Sequence, residues 1–238
     1  MALVLDGCCG AGGATRGYVQ AGHQVHGVDI GPQPNYLRSG AAAFTQASIL
    51  GVLADAAFIA SFAFIHVSPP CQRHSRMSAC RPGLARRYPA LIEPVRELLM
   101  ATGTPWVIEN VEGAPLTGPV TLCGQMFGRP LYRHRLFEAG GGFALAGPPS
   151  PAADLPGARK SCGWPHPVPA SKAGHWIPGT IMSVAGHAGN VAVARQVMEI
   201  SWTTREELAE AIPPYFTAWV GRQVPVRWHG RRTWRNAA

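Results

Sequence analysis

The sequence predicts an α/β fold built on a largely parallel sheet. In the first half of the chain, short apolar runs alternate with helix-forming stretches, the pattern of strands joined by crossovers. A glycine-rich turn, Asp6-Gly7-Cys8-Cys9-Gly10-Ala11-Gly12-Gly13, links the first apolar run to the first helical one. Residues able to do chemistry fall where strands end, the edge at which open α/β sheets place their ligands.

Residues 2–6 are expected as the first strand and 15–21 as the helix after the glycine turn. Residues 24–29 follow as the second strand, 44–47 as a short third and 62–67 as the fourth. Leu91, Val95, Leu98, Leu99 and Thr102 mark one face of a helix, with Pro94 early in it. Residues 106–108 are the fifth strand, ending at Glu109-Asn110. Around 131–138 a further strand would carry Arg133 and Arg135 on one side, since residues two apart share a face. From Ala139 the texture changes: Gly140-Gly141-Gly142 opens a stretch with eight prolines between Pro148 and Pro178 and little periodicity. At that length an irregular stretch is a functional lobe rather than a linker. Residues 203–211 then form a helix with Thr204 as its cap, and Pro213-Pro214 separates it from a last helix over 215–223. The expected organisation is an α/β domain over 1–138, a small irregular lobe over 139–200, and a segment over 201–238 that returns to the first domain and ends in a basic tail.

With 238 residues the chain is long enough for one sizeable core. No apolar run approaches the ~18 residues of a membrane span, and Met1-Ala2-Leu3-Val4-Leu5 lacks a basic leader. Of the six cysteines, two are adjacent and the rest scattered, with no Cys-x-x-Cys; neither a metal site nor a disulfide scaffold is supported, and a reduced, intracellular protein is expected. The net charge is +8, and all but Lys160 and Lys172 of the 21 basic residues are arginine. Arg73, Arg76, Arg81, Arg86 and Arg87 form one cluster with no acid between them. Arg222, Arg227, Arg231, Arg232 and Arg235 form a second near the end of the chain. Such stripes favour a polyanion through phosphate contacts.

Three motifs carry the chemistry. The glycine turn lets a ligand approach the backbone at the positive end of a helix, and Asp29, ending the next strand, is placed to accept from ribose hydroxyls. A nucleotide-like cofactor follows, although Thr15 stands where a dinucleotide fingerprint has its third glycine. Ser68-Pro69-Pro70-Cys71-Gln72 presents a thiol on a stiff loop after the fourth strand, because each proline fixes its own φ and restricts its predecessor. A thiol there suggests a nucleophile. Glu109-Asn110 brings a carboxylate to the same row of strand ends, where a buried acid can bond a ring nitrogen. Arg133 and Arg135 suit phosphate or a carbonyl oxygen. Taken singly, the cysteine reads as a buried hydrophobe and the glutamate and arginines as surface charges.

The order of glycine turn, Pro-Pro-Cys-Gln, Glu-Asn-Val and Arg-x-Arg resembles the DNA cytosine-5 methyltransferases, in a compact form like those of bacterial viruses. The matching blocks cover much of 1–138 and 201–221. The resemblance implies a Rossmann-like class I S-adenosylmethionine-dependent methyltransferase sheet, with the irregular lobe recognising the target. It implies Cys71 as nucleophile, Glu109 on N3 of the target cytosine, and Arg133 and Arg135 holding the base and its phosphate. Asp6, Gly10, Ala11, Gly12, Gly13, Asp29, Ser48, Ile49 and Pro70 would surround S-adenosylmethionine. Gln72, Arg73, Ser75, Arg76, Arg86 and Arg87 would contact double-stranded DNA, and Arg73, Arg76 and Arg135 would favour the thiolate of Cys71. Arg159, Lys160, Trp164, His166 and Trp176 are candidates for reading or wedging the DNA. Ala211-Ile212-Pro213-Pro214 looks like the family's closing motif. A monomer in the cytoplasm of a bacterial or virus-infected bacterial cell is expected, with no membrane partner.

The chain departs from the family pattern at several positions. Cys8 replaces an aromatic in the glycine turn, Ser48 an acid, and Leu131 a glutamine; Arg73 or His74 stands for an aromatic near the nucleophile, and Ala209-Glu210 for Gly-Asn. None removes a reacting group. Three other readings remain: an amino-methyltransferase acting on an exocyclic nitrogen, a catalytically silent DNA-binding protein on the same fold, and a nicotinamide oxidoreductase.

Overall fold

The computed structural model describes residues 1–74, 88–149, 158–159, 164–165, 183–184 and 191–225. Seven strands form one sheet: β1 (Leu3–Gly7), β2 (Gln24–Asp29), β3 (Ala43–Gln46), β4 (Phe64–Val67), β5 (Trp106–Asn110), β6 (Val120–Leu122) and β7 (Arg135–Gly140). Their spatial order is β3-β2-β1-β4-β5-β7-β6. The five strands β1 to β5 are parallel, and β7 runs antiparallel to both its neighbours. The chain builds outward from β1 to β3, then returns to the other side of β1 for β4. That reversal opens a crevice at the carboxyl ends of β1 and β4.

The inner strands are mostly apolar because both faces are covered. On one face Val4, Phe64, Val107 and Phe137 pack with Tyr18 and Phe216, beneath α1 (Gly13–Gln20) and the last helix, which is α7 in chain order (Pro214–Gly221). On the other face Leu5, Val28, Ile65 and Ile108 pack with Ile49, Leu53, Val95 and Leu99. Those partners come from α2 (Ile49–Ala54) and α4 (Ile92–Thr102); the single turn α3 (Ala56–Ile59) lies between them in sequence. Each fully buried Phe, Leu, Ile or Val contributes roughly 1.5–3 kcal/mol.

α1 and α7 cross at glycines. A Cβ on Gly13 would lie 2.5 Å from the Ile212 carbonyl oxygen, and one on Gly17 would lie 2.0 Å from that of Pro214. Thr217 Oγ1 uses the closeness, donating to the Ala14 carbonyl at 2.7 Å. Before this crossing come α5 (Val191–Met198) and α6 (Arg205–Glu210). Thr204 caps α6 as expected: its hydroxyl accepts from Glu207 N at 3.2 Å, and the Glu207 carboxylate accepts from Thr204 N at 2.6 Å. Among the described residues no helix is long and apolar enough to cross a membrane.

Several expectations differ from the structure. The strand over 131–138 begins only at Arg135, so Arg133 precedes β7 and the two arginines do not share its face. β7 continues through Gly140, whose backbone pairs with Trp106, so the boundary drawn at 138/139 falls inside a strand. α5 lies within the stretch read as irregular, and its Ala194, Val197 and Met198 join the α1-side core. A two-strand ladder, β8 (Ala158–Arg159) with β9 (Trp164–Pro165), is the other described element there. Ser75, Arg76, Arg81, Arg86, Arg87, Lys160, His166, Trp176, Arg227, Arg231, Arg232 and Arg235 lie outside the described residues.

Gly17→Ala is expected to destabilise the protein by about 1–3 kcal/mol, because neither the Pro214 carbonyl nor Thr217 can retreat freely. Gly51→Ala, in α2 where an added Cβ meets nothing within 4 Å, should stabilise by about 0.5–1 kcal/mol. Urea denaturation of both variants checks the pair.

Candidate active site

A cavity of about 420 Å³ occupies the crevice between β1 and β4. One wall is the glycine turn, where Cys8 and Gly10 take left-handed φ values of 55° and 49°. Gly10 has no neighbour within 4 Å of the position its Cβ would take, so the backbone there stands open to a ligand. Asp29 holds the turn: its Oδ2 accepts from Gly10 N and its Oδ1 from Gly31 N, each at 3.0 Å. Trp202 Nε1 secures the other end, donating to the Ala11 carbonyl at 2.8 Å. Asp6, Gly10, Ala11, Gly13, Asp29, Ser48, Ile49 and Pro70 all line the cavity. Gly12 does not. It caps α1 with φ 83° and packs against Ser39 and Tyr36, so its place is beneath the turn.

Asp6 is fully buried. Its Oδ2 accepts from the Thr15 hydroxyl at 2.5 Å, and that oxygen lies 2.8 Å from the Tyr36 hydroxyl. With its one hydrogen given to Asp6, Thr15 must accept from Tyr36. The residue that breaks the dinucleotide fingerprint therefore supports the first acid of the turn. Asp6 Oδ1 has no hydrogen-bond partner among the described residues. Burial pushes the carboxyl up to about 7, against the Thr15 hydrogen bond and helped by the charge of Asp29.

The opposite wall carries Cys71. Ser68 N donates to Gly7 O at 3.0 Å, extending the β1–β4 ladder by one residue, and His74 N closes a turn onto Cys71 O at 2.9 Å. Between them Asn110 Nδ2 donates to the Pro69 carbonyl at 2.9 Å. The thiol loop is thus braced from the end of β5. Burial pushes the Cys71 thiol above its ordinary value; Arg135 and Arg133 pull it down, while Glu109 and Glu210 push it up. This corrects the expectation of a thiolate favoured by three arginines. Arg73 points away, Nη1 donating to Tyr88 O at 3.0 Å; Arg76 lies outside the described residues; and Arg135, even with Arg133, does not offset burial. Gln72 lines the cavity beside Cys71 and its Nε2 donates to Glu210 Oε1 at 3.2 Å.

Glu109 is buried at the end of β5, its Oε1 3.0 Å from Arg135 Nε. Burial raises its pKa, opposed by Arg135, by Arg133 and by a hydrogen bond from Ser68. Of the two arginines only Arg135 faces the cavity. Arg133 is spent on main-chain oxygens: Nη2 donates to Ala209 O and Ala211 O at 2.8 Å each, and Nη1 to Val184 O. A buried guanidinium so committed holds the wall at residues 209–211 and is not free for a phosphate, a correction to the role expected of it.

Sequence reasoning missed three supports: Ser68 and His66, one face of β4 and its extension, and Glu207, which lines the cavity while accepting from Asn35 Nδ2 at 3.0 and 3.2 Å. The alternation His66-x-Ser68 and the Thr204-x-x-Glu207 capping box were the signals that pointed to them. Among the described residues no group of three or more His, Cys, Asp or Glu is arranged to hold a metal. Cys8, Cys9, Cys71 and Cys123 are free thiols.

No protein-family model matches the sequence, and no curated protein sequence does either. Among solved structures, the S. pombe Dnmt2 methyltransferase superimposes over 92% of this chain and 96% of its own, with TM-score 0.56 and 13% identity. The Entamoeba histolytica methyltransferase EhMeth superimposes over 93% and 97%, with TM-score 0.55 and 11% identity. A candidate DNA modification methyltransferase encoded within an E. coli prophage matches at TM-score 0.44 and 19% identity, over 59% of this chain; the chain spans 46% of that protein's length. With the strand order above, the likenesses to the Dnmt2 and EhMeth structures show a Rossmann-like α/β sheet, the fold of those two methyltransferases.

Because Asp6 holds its proton more tightly folded than unfolded, its contribution to stability is complete below about pH 4 and is lost as pH rises through about 7. At ~1.4 kcal/mol per pH unit the loss approaches about 4 kcal/mol, and Glu109 adds to it with the same sign. Buried His66, lowered to about 3, contributes with the opposite sign up to about pH 6.5. As pH rises from about 4 to 7 the urea midpoint of Asp6→Asn should therefore gain on that of the wild type, because the loss from Asp6 is removed and the gain from His66 remains.

Proposed function

We propose that this chain is a DNA (cytosine-5) methyltransferase that acts on double-stranded DNA as a monomer, with S-adenosylmethionine as cofactor. The observation that carries the reading is the meeting of Cys71, Glu109 and Arg135 in the same cavity as the glycine turn and Asp29. The residues fit the cofactor. Five carboxylates, Asp6, Asp29, Glu109, Glu207 and Glu210, line the cavity against one described arginine, Arg135, which suits a ligand carrying a net positive charge. The partnerless buried oxygen of Asp6 suits an ammonium group, and Asp29 retains lone pairs for ribose hydroxyls. Ser48, Ile49 and Pro70 would form the apolar and polar sides of that site.

The cofactor, when bound, supplies an electrophilic methyl group. The work of the chain is to make C5 of cytosine nucleophilic. Cys71, as thiolate, attacks C6 and forms a carbon–sulfur bond, and the ring's electrons move toward C5 and N3. Glu109, in the protonated form that burial favours, donates to N3 as negative charge gathers there. Arg135 beside it offsets the charge that Glu109 acquires. C5 takes the methyl group, its proton leaves to a base, and elimination of the Cys71 thiolate restores the aromatic ring. C6 is out of reach in a stacked duplex, so the base must flip out at a cost of a few kcal/mol. Contacts from Gln72, from Arg73 and from the arginines that follow it in sequence would offset that cost.

Cys71→Ser should lower methyl transfer by about a thousandfold or more while leaving S-adenosylmethionine affinity unchanged, as measured by calorimetry. The wild type should form a covalent adduct with duplex DNA containing 5-fluorocytosine, seen by mass spectrometry. Bisulfite sequencing of DNA from expressing cells reads the modified context. Methyl transfer that persists in Cys71→Ser, or an absent adduct, sinks the proposal. Since the thiolate of Cys71 and the protonated form of Glu109 are both needed, the rate should climb about tenfold per pH unit below the pKa of Glu109 and level off between that group and the raised thiol.

A further inference from the structure

The proposed methyl transfer leaves a hydrogen on C5 that a base must remove, and five carboxylates line the cavity. Four of them are enclosed or fully engaged. Asp6 is fully buried, with Oδ2 taken by the Thr15 hydroxyl. Glu109 is buried against the Arg135 guanidinium. Both oxygens of Asp29 accept main-chain N–H groups. Both oxygens of Glu207 accept from Asn35 Nδ2, and Oε2 accepts from Thr204 N as well. Glu210 is the exception. Its residue is exposed, and its Oε1 accepts from Gln72 Nε2 at 3.2 Å. Its Oε2 has no hydrogen-bond partner among the described residues.

The place of Glu210 is fixed from both sides in sequence. The buried Arg133 guanidinium donates to Ala209 O and Ala211 O at 2.8 Å each, the carbonyls that flank it. The carbonyl after those, Ile212 O, packs on the start of α1, 2.5 Å from where a Cβ on Gly13 would lie. From this anchored backbone the side chain reaches Gln72, the residue that follows Cys71. Glu210 therefore stands on the thiol side of the cavity, and its charge is among those that raise the Cys71 thiol.

A cytosine held in this cavity has the glycine turn on one face and Cys71 on the other. Sulfur reaches C6 from the thiol face and the methyl group reaches C5 from the opposite one. The hydrogen on C5 is then left on the thiol face, where Glu210 stands. We propose that Glu210 is the catalytic base that removes this hydrogen, a role that rests on the cytosine reading for its substrate. The C5–H bond breaks and its proton passes to Glu210 Oε2. The electron pair of that bond forms the C5–C6 double bond, the C6–S bond breaks, and its pair leaves on the Cys71 thiolate. Because Glu210 is exposed, it can hand the proton on to water, which Asp6 and Glu109 cannot do from the interior. The three carbonyl contacts of Arg133 thereby acquire a purpose: they hold the segment from which the base projects.

The test uses the full chain and Glu210→Gln, which keeps the size of the side chain and an oxygen for Gln72. On a duplex of ordinary cytosine with S-adenosylmethionine, the wild type should turn over without retaining DNA. Glu210→Gln should accumulate a covalent protein–DNA complex that carries the transferred methyl group, read on denaturing gels and by mass spectrometry. Its kcat should fall about a hundredfold after a rapid first round of methyl transfer. Its kcat/KM should stay at the wild-type value, because methyl transfer is irreversible and precedes proton removal. Glu206→Gln, exposed on the same helix and outside the cavity, should behave as the wild type does. Normal turnover in Glu210→Gln overturns the proposal. So does a slowed first round with no accumulating complex, which marks a merely structural contact with Gln72. A duplex containing 5-fluorocytosine separates the two ways of failing, since fluorine cannot leave as a proton and both proteins should hold that duplex covalently. If neither does, the cytosine reading falls and the role of Glu210 with it; if both do while Glu210→Gln turns over normally, the role of Glu210 alone falls.

Discussion

The reversal of strand order between β1 and β4 is the constraint on which the rest of this structure depends. Two neighbouring parallel strands whose crossovers leave in opposite directions cannot have their carboxyl ends covered by either connection. The glycine turn departs to one side and the Pro-Pro-Cys loop to the other, and the gap between them is the cavity. Everything placed there is held by backbone the sheet has already fixed: Asp29 by two main-chain amides, Cys71 through the Asn110 bond to Pro69, Glu109 by its own strand. Precision at the site comes from rigid elements, with loops contributing only their first residues.

Charge in the cavity is managed by burial as well as by the Arg135–Glu109 pair. Asp6, Cys71 and Glu109 all have raised pKa values, each chiefly because water is excluded. Arg135 is the described cation at the wall, and Arg133 is turned to a structural task by three carbonyls. Burial thus favours the protonated form of these three groups. A ligand that brings positive charge would favour their ionised forms, so the empty and occupied sites differ in proton content.

Most of the parallel sheet was legible in the sequence because its strands are buried on both faces and read as uninterrupted apolar runs bounded by Gly, Asp or Pro. Glu109 and Asp29 were legible for a related reason, each being the acid that ends such a run, and Cys71 because two prolines set it off from the run before it. What could not be read was whatever depends on a distant partner. Arg133 and Arg135 look alike in sequence, yet one meets a carboxylate and the other the carbonyls of residues 184, 209 and 211. β6 has three residues and no alternation of its own, and α5 follows a proline-rich stretch that masks its periodicity. The raised thiol of Cys71 was missed because nearby arginines in sequence are not nearby charges in space: Arg73 faces Tyr88.

The contact between α1 and α7 carries a consequence for how the molecule comes to exist. Thr217 bonds Ala14 across 203 positions of sequence, and Trp202 bonds Ala11 across 191. The sheet order from β3 to β5 can assemble from segments emerging in succession, but the glycine turn acquires its far wall only once residues 202–217 have left the ribosome. Closing so long a loop is slow, and the ordering entropy is lost before the contacts form. A nascent chain would therefore carry a formed sheet and an unfinished pocket until residues 202–217 emerge, so the capacity to hold a ligand is acquired after the sheet.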